Sequence, residues 1–291
     1  MAPLPPFTID TENFLRDHCT LPALPQAVTQ IQSIIHTDNV SISRVAGLIA
    51  TDPSLVAQVL KVVNSAYYSL PREISDVNLA VGFLGIHETY RIALSISVVN
   101  AIGGDSKASF EEIWTHSVYT ALTARYLKQH YEPLMSQGDL WATAILHDIG
   151  KLVYLKFFPE HFKAVMDHRT KHGCLFHEAI EALNYVPSSE LGVMLAKHWR
   201  LPEKVRAVCK QHTLKDLPQL KSDAPENTFP RLVAVANLMA VLASNGLSQS
   251  KKESIKESIC HTLNINEAEF LVHMGAVYEL KEEVGKMSLS S

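Results

Sequence analysis

Two imidazoles and one carboxylate stand where they could hold a metal ion. His116 lies in a long helical stretch. His147 and Asp148 are adjacent within Ala-Ile-Leu-His-Asp-Ile-Gly-Lys, which ends on Lys151. Imidazole nitrogen and carboxylate oxygen together suit Zn, Fe, Mn or Ni, and a metal needs ligands that converge from different elements. Two packed helices would bring these three side chains together. A lone histidine on a semi-apolar helix is more often a satisfied core residue. An aspartate inside an apolar run is harder to place, because a buried carboxylate is costly unless it is paired or metal-bound. Histidine is also abundant, at 14 copies, several of them bunched between His116 and His212.

The elements that must position these residues are helices. Apolar residues recur at helical spacing along nearly the whole chain, with almost no period-two alternation, so the fold class is all-α. Thr8–Asp17 reads as a short first helix, and Leu21-Pro-Ala-Leu-Pro25 opens a second that runs to about His36. Ser41 or Ser43 caps Val45–Ala50, and Asp52-Pro53 starts the next helix with an N-cap and a first-turn proline. Asn64-Ser65 ends it, with Asn64, Tyr67 and Tyr68 read as an inter-helix joint. Ser75-Asp76 starts a helix that Gly85 ends, and His87–Val99 follows. Gly103-Gly104-Asp105-Ser106 is the best boundary of the first half. Beyond it come Phe110–Tyr131, a long helix Leu140–Phe157 capped by Asp139, then Pro159–His168, Phe176–Asn184, Ser188–Trp199 and Pro202–His212. Thr213–Pro230 reads as a linker, and further helices close the chain. The expected architecture is an N-terminal helical subdomain (20–103) packed on a second helical half (107–215), which helices over 228–288 complete.

Composition removes several function classes. With 47% hydrophobic and 19% charged residues the chain is neither collagen, coiled coil nor wholly disordered. A formal net charge of −4 gives no general attraction to nucleic acid or anionic lipid. Leu84-Gly85-Ile86 could be the turn of a helix-turn-helix. Residues 20–100 nevertheless carry only Arg44, Lys61, Arg72 and Arg91 against Asp38, Asp52, Glu73, Asp76 and Glu88, so no basic recognition face is expected. The four cysteines, Cys19, Cys174, Cys209 and Cys260, form no C-x-x-C pair and read as reduced thiols. No secretory signal is visible, and Leu232–Ser250, uncharged but broken by polar residues, reads as a buried helix with its exit loop.

His116 followed by His147-Asp148-Ile-Gly-Lys151 resembles the HD superfamily of metal-dependent phosphohydrolases. Leu21-Pro-Ala-Leu-Pro25, Asp52-Pro53-Ser-Leu-Val, Asn64-Ser-Ala-Tyr-Tyr68, Ala80-Val-Gly-Phe-Leu-Gly85 and Trp199-Arg-Leu-Pro202 sharpen the match. In this order they resemble the HDOD domain, a bacterial output module related to the HD-GYP cyclic-di-GMP phosphodiesterases, over about residues 20–215.

The catalytic relatives use a Glu four residues before the first His, that His and the HD pair. They also use a His opening a His-x-x-x-Gly segment, a His-His pair and a late Asp on an apolar helix. The resemblance therefore implies His116, His147 and Asp148 as metal ligands, with Glu112 and His212 as weaker ones. In an active protein Asp148 and Lys151 would be the catalytic pair. The segment Ser188-Ser-Glu-Leu-Gly192 puts Ser188 at a ligand position, Gln211-His212 keeps half of the pair, and Leu232-Val-Ala-Val-Ala-Asn237 puts Asn237 where Asp would stand. His177 and His198 are the available substitutes, though each reads more simply as a surface residue.

The expectation is a cytoplasmic bacterial signalling module with a degenerate HD site. It would require no cofactor and retain at most a residual divalent metal (Fe, Mn, Zn, Ni or Mg). It would act without catalysis, by binding a signalling protein or a nucleotide, with no membrane partner and DNA disfavoured. No receiver, kinase or cyclase segment is expected within these 291 residues. The alternative is a metal-dependent phosphohydrolase acting on a nucleotide or cyclic dinucleotide.

Overall fold

A computed structural model of the chain describes residues 23–37, 40–103, 106–220, 224–244 and 246–287. The Thr8–Asp17 helix, Cys19 and the middle of the Gly103–Ser106 boundary fall outside them. Among the described residues every regular element is helical, as the periodicity requires.

The N-terminal half is a set of short helices around one buried helix. Helices α1 (Gln26–Ile34), α2 (Ile42–Ile49), α3 (Pro53–Val63) and α4 (Val77–Leu84) all contact α5 (Ile86–Ile102) or one another. Their starts follow from capping chemistry. Ser41, not Ser43, caps α2 by accepting from the Arg44 amide. Asp52 accepts from the amides of Ser54 and Leu55, and Asp76 from that of Leu79. Gly85 separates α4 from α5 at φ +87°, a conformation in which an L side chain is strained.

In α5 every residue from Ile92 to Val99 is buried. The first turns of this helix, at Ile86–Glu88 and Arg91, reach the surface, and Arg91 is held there by Asp139.

The second half contains α6 (Lys107–Tyr131), α7 (Gln137–Leu146), α8 (Ile149–Phe157), α9 (Pro159–His172), α10 (Phe176–Ala182), α11 (Ser188–His198) and α12 (Glu203–Lys210). Here the expected long helix over Leu140–Phe157 is corrected. It is two helices, α7 and α8, broken at His147-Asp148, and the cap of α7 is Ser136, whose Oγ accepts from the Asp139 amide. Asp139 itself pairs with Arg91 and with Lys204, the latter at 2.6 Å.

The stretch expected as a linker is partly packed. It contains 3₁₀ turns over Leu214–Gln219 and Pro225–Asn227, and Leu217 and Leu220 are buried. Helices α13 (Thr228–Leu242), α14 (Gln249–Leu263), α15 (Glu267–Glu279) and α16 (Lys281–Lys286) follow. α13 lies along α6 and is buried from Pro230 to Ala240, as the broken apolar stretch suggested. No single described helix is long and apolar enough to cross a membrane, although the sharply bent pair α2 and α3 passes that test jointly on composition.

The two halves meet through the Asn64–Tyr68 joint. Asn64 exchanges two hydrogen bonds with the Ile74 backbone, at 2.8 and 2.7 Å. The fully buried Tyr67 donates to the Gln137 carbonyl at 2.7 Å, and the Gln137 amide donates back to the Tyr67 carbonyl at 2.7 Å. The Tyr67 ring meets Trp141 edge-on at 4.8 Å, and Arg125 of α6 holds the Ala66 carbonyl and Ser69 Oγ. Trp141 in turn donates to Ser95 of α5 at 2.9 Å, so the Tyr67 hydroxyl and the Trp141 indole N–H are both satisfied. α5 and α7 are therefore held face to face, and α7 delivers His147 and Asp148.

Candidate metal centre and ligand pocket

The break between α7 and α8 is what aims the HD pair. His147 ends α7, and Asp148 leaves helical geometry at φ −105°, ψ 19° before α8 begins at Ile149. Gly150 then lets α8 press against the start of α11, with Gly150 backbone against the Ser188 carbonyl and the Gly192 amide. His116 projects from the middle of α6. The nearest donor atoms of His116, His147 and Asp148 lie within 4.8 Å of one another, so the structure gathers the three expected ligands.

Their hydrogen bonds separate their roles. His147 Nδ1 donates to the Ala144 carbonyl at 2.7 Å, which fixes the tautomer and leaves Nε2 with a lone pair. That Nε2 is buried and makes no hydrogen bond, although it lies 3.0 Å from Asp148 Oδ2. His212 has its Nδ1 on the Val208 carbonyl at 2.9 Å and its Nε2 on Asp148 Oδ1 at 3.2 Å. Both ring nitrogens of His212 therefore face oxygen atoms.

Asn237 orients the remaining ring. Its Nδ2 donates to the His212 carbonyl at 3.0 Å, so its Oδ1 accepts from His116 Nε2 at 2.9 Å. His116 Nε2 is thereby spent as a donor.

Lys151 reaches Asp148 Oδ2 at 2.5 Å and lies over the Phe176 ring at 4.9 Å. Burial alone would raise the Asp148 pKa, but the Lys151 ammonium and the His212 hydrogen bond hold it well below the usual carboxylate range. Burial, with Lys151 nearby, pushes His116 down to about 3. The HD cluster is thus a carboxylate, an ammonium and imidazoles at the foot of a recess, with Asp148 only 3% exposed.

The donor set fits one divalent ion. His147 Nε2 is an orphaned buried lone pair, Asp148 is anionic, and His212 Nε2 faces it. A second ion finds fewer ligands: Ser188 offers only a hydroxyl at the pocket wall and Asn237 only a neutral amide. Glu112 does not join the cluster. It sits one turn before His116, is 60% exposed and pairs with Arg169 of α9 at 3.7 Å. His198 is exposed on α11, whereas His177 lines the pocket, with burial lowering its pKa to about 4.

Above the cluster opens a cavity of about 410 Å³ between α6, α9, α10 and α13. Its walls include residues that sequence reasoning passed over: Phe162, Met166 and Arg169 from α9, and Phe176 from α10. The signal for the first three was present, since spacings of four and three put them on one stripe of an otherwise polar helix.

The sequence profile of the HDOD domain matches residues 21–214. The chain belongs to the HDOD domain family. Solved structures share the fold over nearly the whole HDOD chain. An HDOD domain protein of unknown function from Geobacter sulfurreducens superposes with a TM-score of 0.73 at 22% identity, covering 96% of this chain and 97% of that one. A candidate phosphohydrolase from Shewanella amazonensis SB2B gives 0.68 at 20% identity, covering 95% and 97%. A candidate signal transduction protein from Marinobacter aquaeolei VT8 also gives 0.68 at 20%, covering 97% of this chain and 62% of that one. An uncharacterised protein of Treponema pallidum (strain Nichols) is 26% identical over 216 residues. That stretch is 74% of this chain but only 41% of the relative.

Proposed function

We propose that this HDOD chain is a signalling module that passes on a cue by binding, with a degenerate HD site, and that it does not depend on hydrolysis. One observation carries the reading: both oxygens of Asp148 are engaged from within the protein, Oδ2 by Lys151 at 2.5 Å and Oδ1 by His212 at 3.2 Å. In a metal hydrolase that carboxylate is held for the ion, and the ion activates a water. Here Lys151 supplies the neutralising charge, and Asn237 occupies His116. The remaining ligands, His147 and Asp148, would hold one divalent ion, and such an ion would add a Lewis acid to the pocket floor.

The module takes its cue as a small molecule in the cavity, a nucleotide being one class of candidate, and passes it to a protein partner. It works in a bacterial cytoplasm, with which the free thiols Cys174, Cys209 and Cys260 accord. A second reading, a single-ion phosphohydrolase, is favoured by one specific atom, the unpartnered His147 Nε2.

Elemental analysis of protein purified without chelator decides between them, together with assays on cyclic-di-GMP and a generic phosphodiester in Mn²⁺. The binding reading expects substoichiometric metal and no turnover. A stoichiometric transition metal with turnover abolished by Asp148→Ala would overturn it.

A further inference from the structure

The cavity above the HD cluster has a charge pattern that selects its ligand. The charged side chains on its wall are Glu111, Glu112 and Asp148 against Lys151 and Arg169, three acids to two bases. Both bases are already paired, Lys151 with Asp148 at 2.5 Å and Arg169 with Glu112 at 3.7 Å. A nucleotide brings a further negative charge with every phosphodiester, so to be neutralised by Lys151 or Arg169 it would have to break one of these pairs.

Much of the remaining wall is apolar. Phe162 and Phe176 meet at 5.9 Å with their planes tilted by 45°, and Met166, Leu175, Leu238 and Val241 continue that surface. At about 410 Å³ the space lies within the range of small-molecule sites, and such sites are typically apolar with a few polar groups that fix orientation. Ser188 and Thr213 add uncharged hydroxyls to the wall, that of Thr213 donating to Asp216 at 2.6 Å and still able to accept.

From this we infer that the ligand of the HDOD pocket is an uncharged, largely apolar small molecule with one hydrogen-bonding end, seated between α9 and α13. The inference rests on the binding reading above and narrows its ligand class.

The probe is N-phenyl-1-naphthylamine, neutral and fluorescent in apolar surroundings, titrated into the full chain with AMP, cyclic-di-GMP or decanol as competitor, with and without Mn²⁺. Saturable binding displaced by decanol and not by either nucleotide is the expected result. Met166→Glu, which puts a charge on the apolar wall, and Val241→Phe, which fills it, should each weaken the probe at least tenfold while the thermal unfolding transition stays cooperative.

Displacement by a nucleotide, alone or with Mn²⁺, overturns the neutral-ligand inference and leaves the binding reading standing. Undiminished probe affinity in both variants also overturns it, because the dye then sits elsewhere. If the probe and the nucleotides all fail to bind, the cavity is no ligand site and both readings fall.

Discussion

Replacing Gly150 with alanine tests whether the HD pair is aimed by the contact between α8 and α11. A Cβ at Gly150 would lie 1.8 Å from the Ser188 carbonyl oxygen, 2.7 Å from its carbon and 2.9 Å from the Gly192 amide nitrogen. All three are backbone atoms at a helix start, so no flexible side chain can swing aside and the helices themselves must part. Overpacking of this kind costs about 1–3 kcal/mol or more. The overlap here exceeds an ångström, which places Gly150→Ala at about 3 kcal/mol even after the roughly 1 kcal/mol gain in helix propensity. For a chain of this size that is a fall in Tm of roughly 6–12 °C.

Two other glycines calibrate the measurement. At Gly192 the nearest atoms to a new Cβ are 3.4 and 3.5 Å away, so Gly192→Ala should stay within about 1 kcal/mol of the parent. Gly82 has nothing within 4 Å, so Gly82→Ala should stabilise α4 by about 0.5–1 kcal/mol. Urea denaturation followed by far-ultraviolet circular dichroism gives all three values. Gly150→Ala as stable as Gly82→Ala would refute the close approach, and with it the account of how Asp148 and Lys151 are placed.

Four further outcomes are expected. Lys151→Met strips the buried Asp148 of its ammonium and should cost about 3–5 kcal/mol; Mn²⁺ should raise the variant's Tm more than the parent's, and equal shifts would show that Lys151 is not the built-in counter-ion. Asn237→Asp with Ser188→His should raise metal affinity at least tenfold by titration calorimetry, and no gain would show that these are not ligand positions. Tyr67→Phe removes the 2.7 Å bond to Gln137 and strands a carbonyl at the joint, a loss of about 1–3 kcal/mol in urea denaturation, and a neutral result would deny the joint its strength.

The fourth concerns pH. Burial keeps His177 neutral in the fold down to about pH 4, against 6.5 when solvated. The unfolded chain therefore binds this proton first, and the fold loses stability as the pH falls from 6.5 towards 4, by at most about 1.4 kcal/mol per pH unit. His177→Gln should flatten that limb of the Tm–pH curve, and an unchanged slope would contradict the burial.

Much of the fold was legible because helix caps are local. Asp52-Pro53 and Asp76 act within their own first turns, and both behave as the sequence suggested. Asp139 misled because it looks like a cap, whereas its partners, Arg91 and Lys204, are remote in sequence. The break at His147-Asp148 was hidden because no proline precedes it and the run on either side is apolar; it becomes evident only once α8 packs on α11. Of the site, His116, His147, Asp148 and His212 could be read from their types and their match to a family pattern. The α9 wall could not, since the polar composition of that helix masked its inward stripe.

The HDOD match ends at residue 214, but Asn237, Leu238 and Val241 lie on α13, beyond it. The stretch of sequence that is inherited as a recognisable domain is therefore shorter than the unit that folds. Cutting the chain at the family boundary would lay open the face of α6 along which α13 is buried, and would release His116 from its amide. For anyone expressing this protein, the boundary that matters lies after the C-terminal helices.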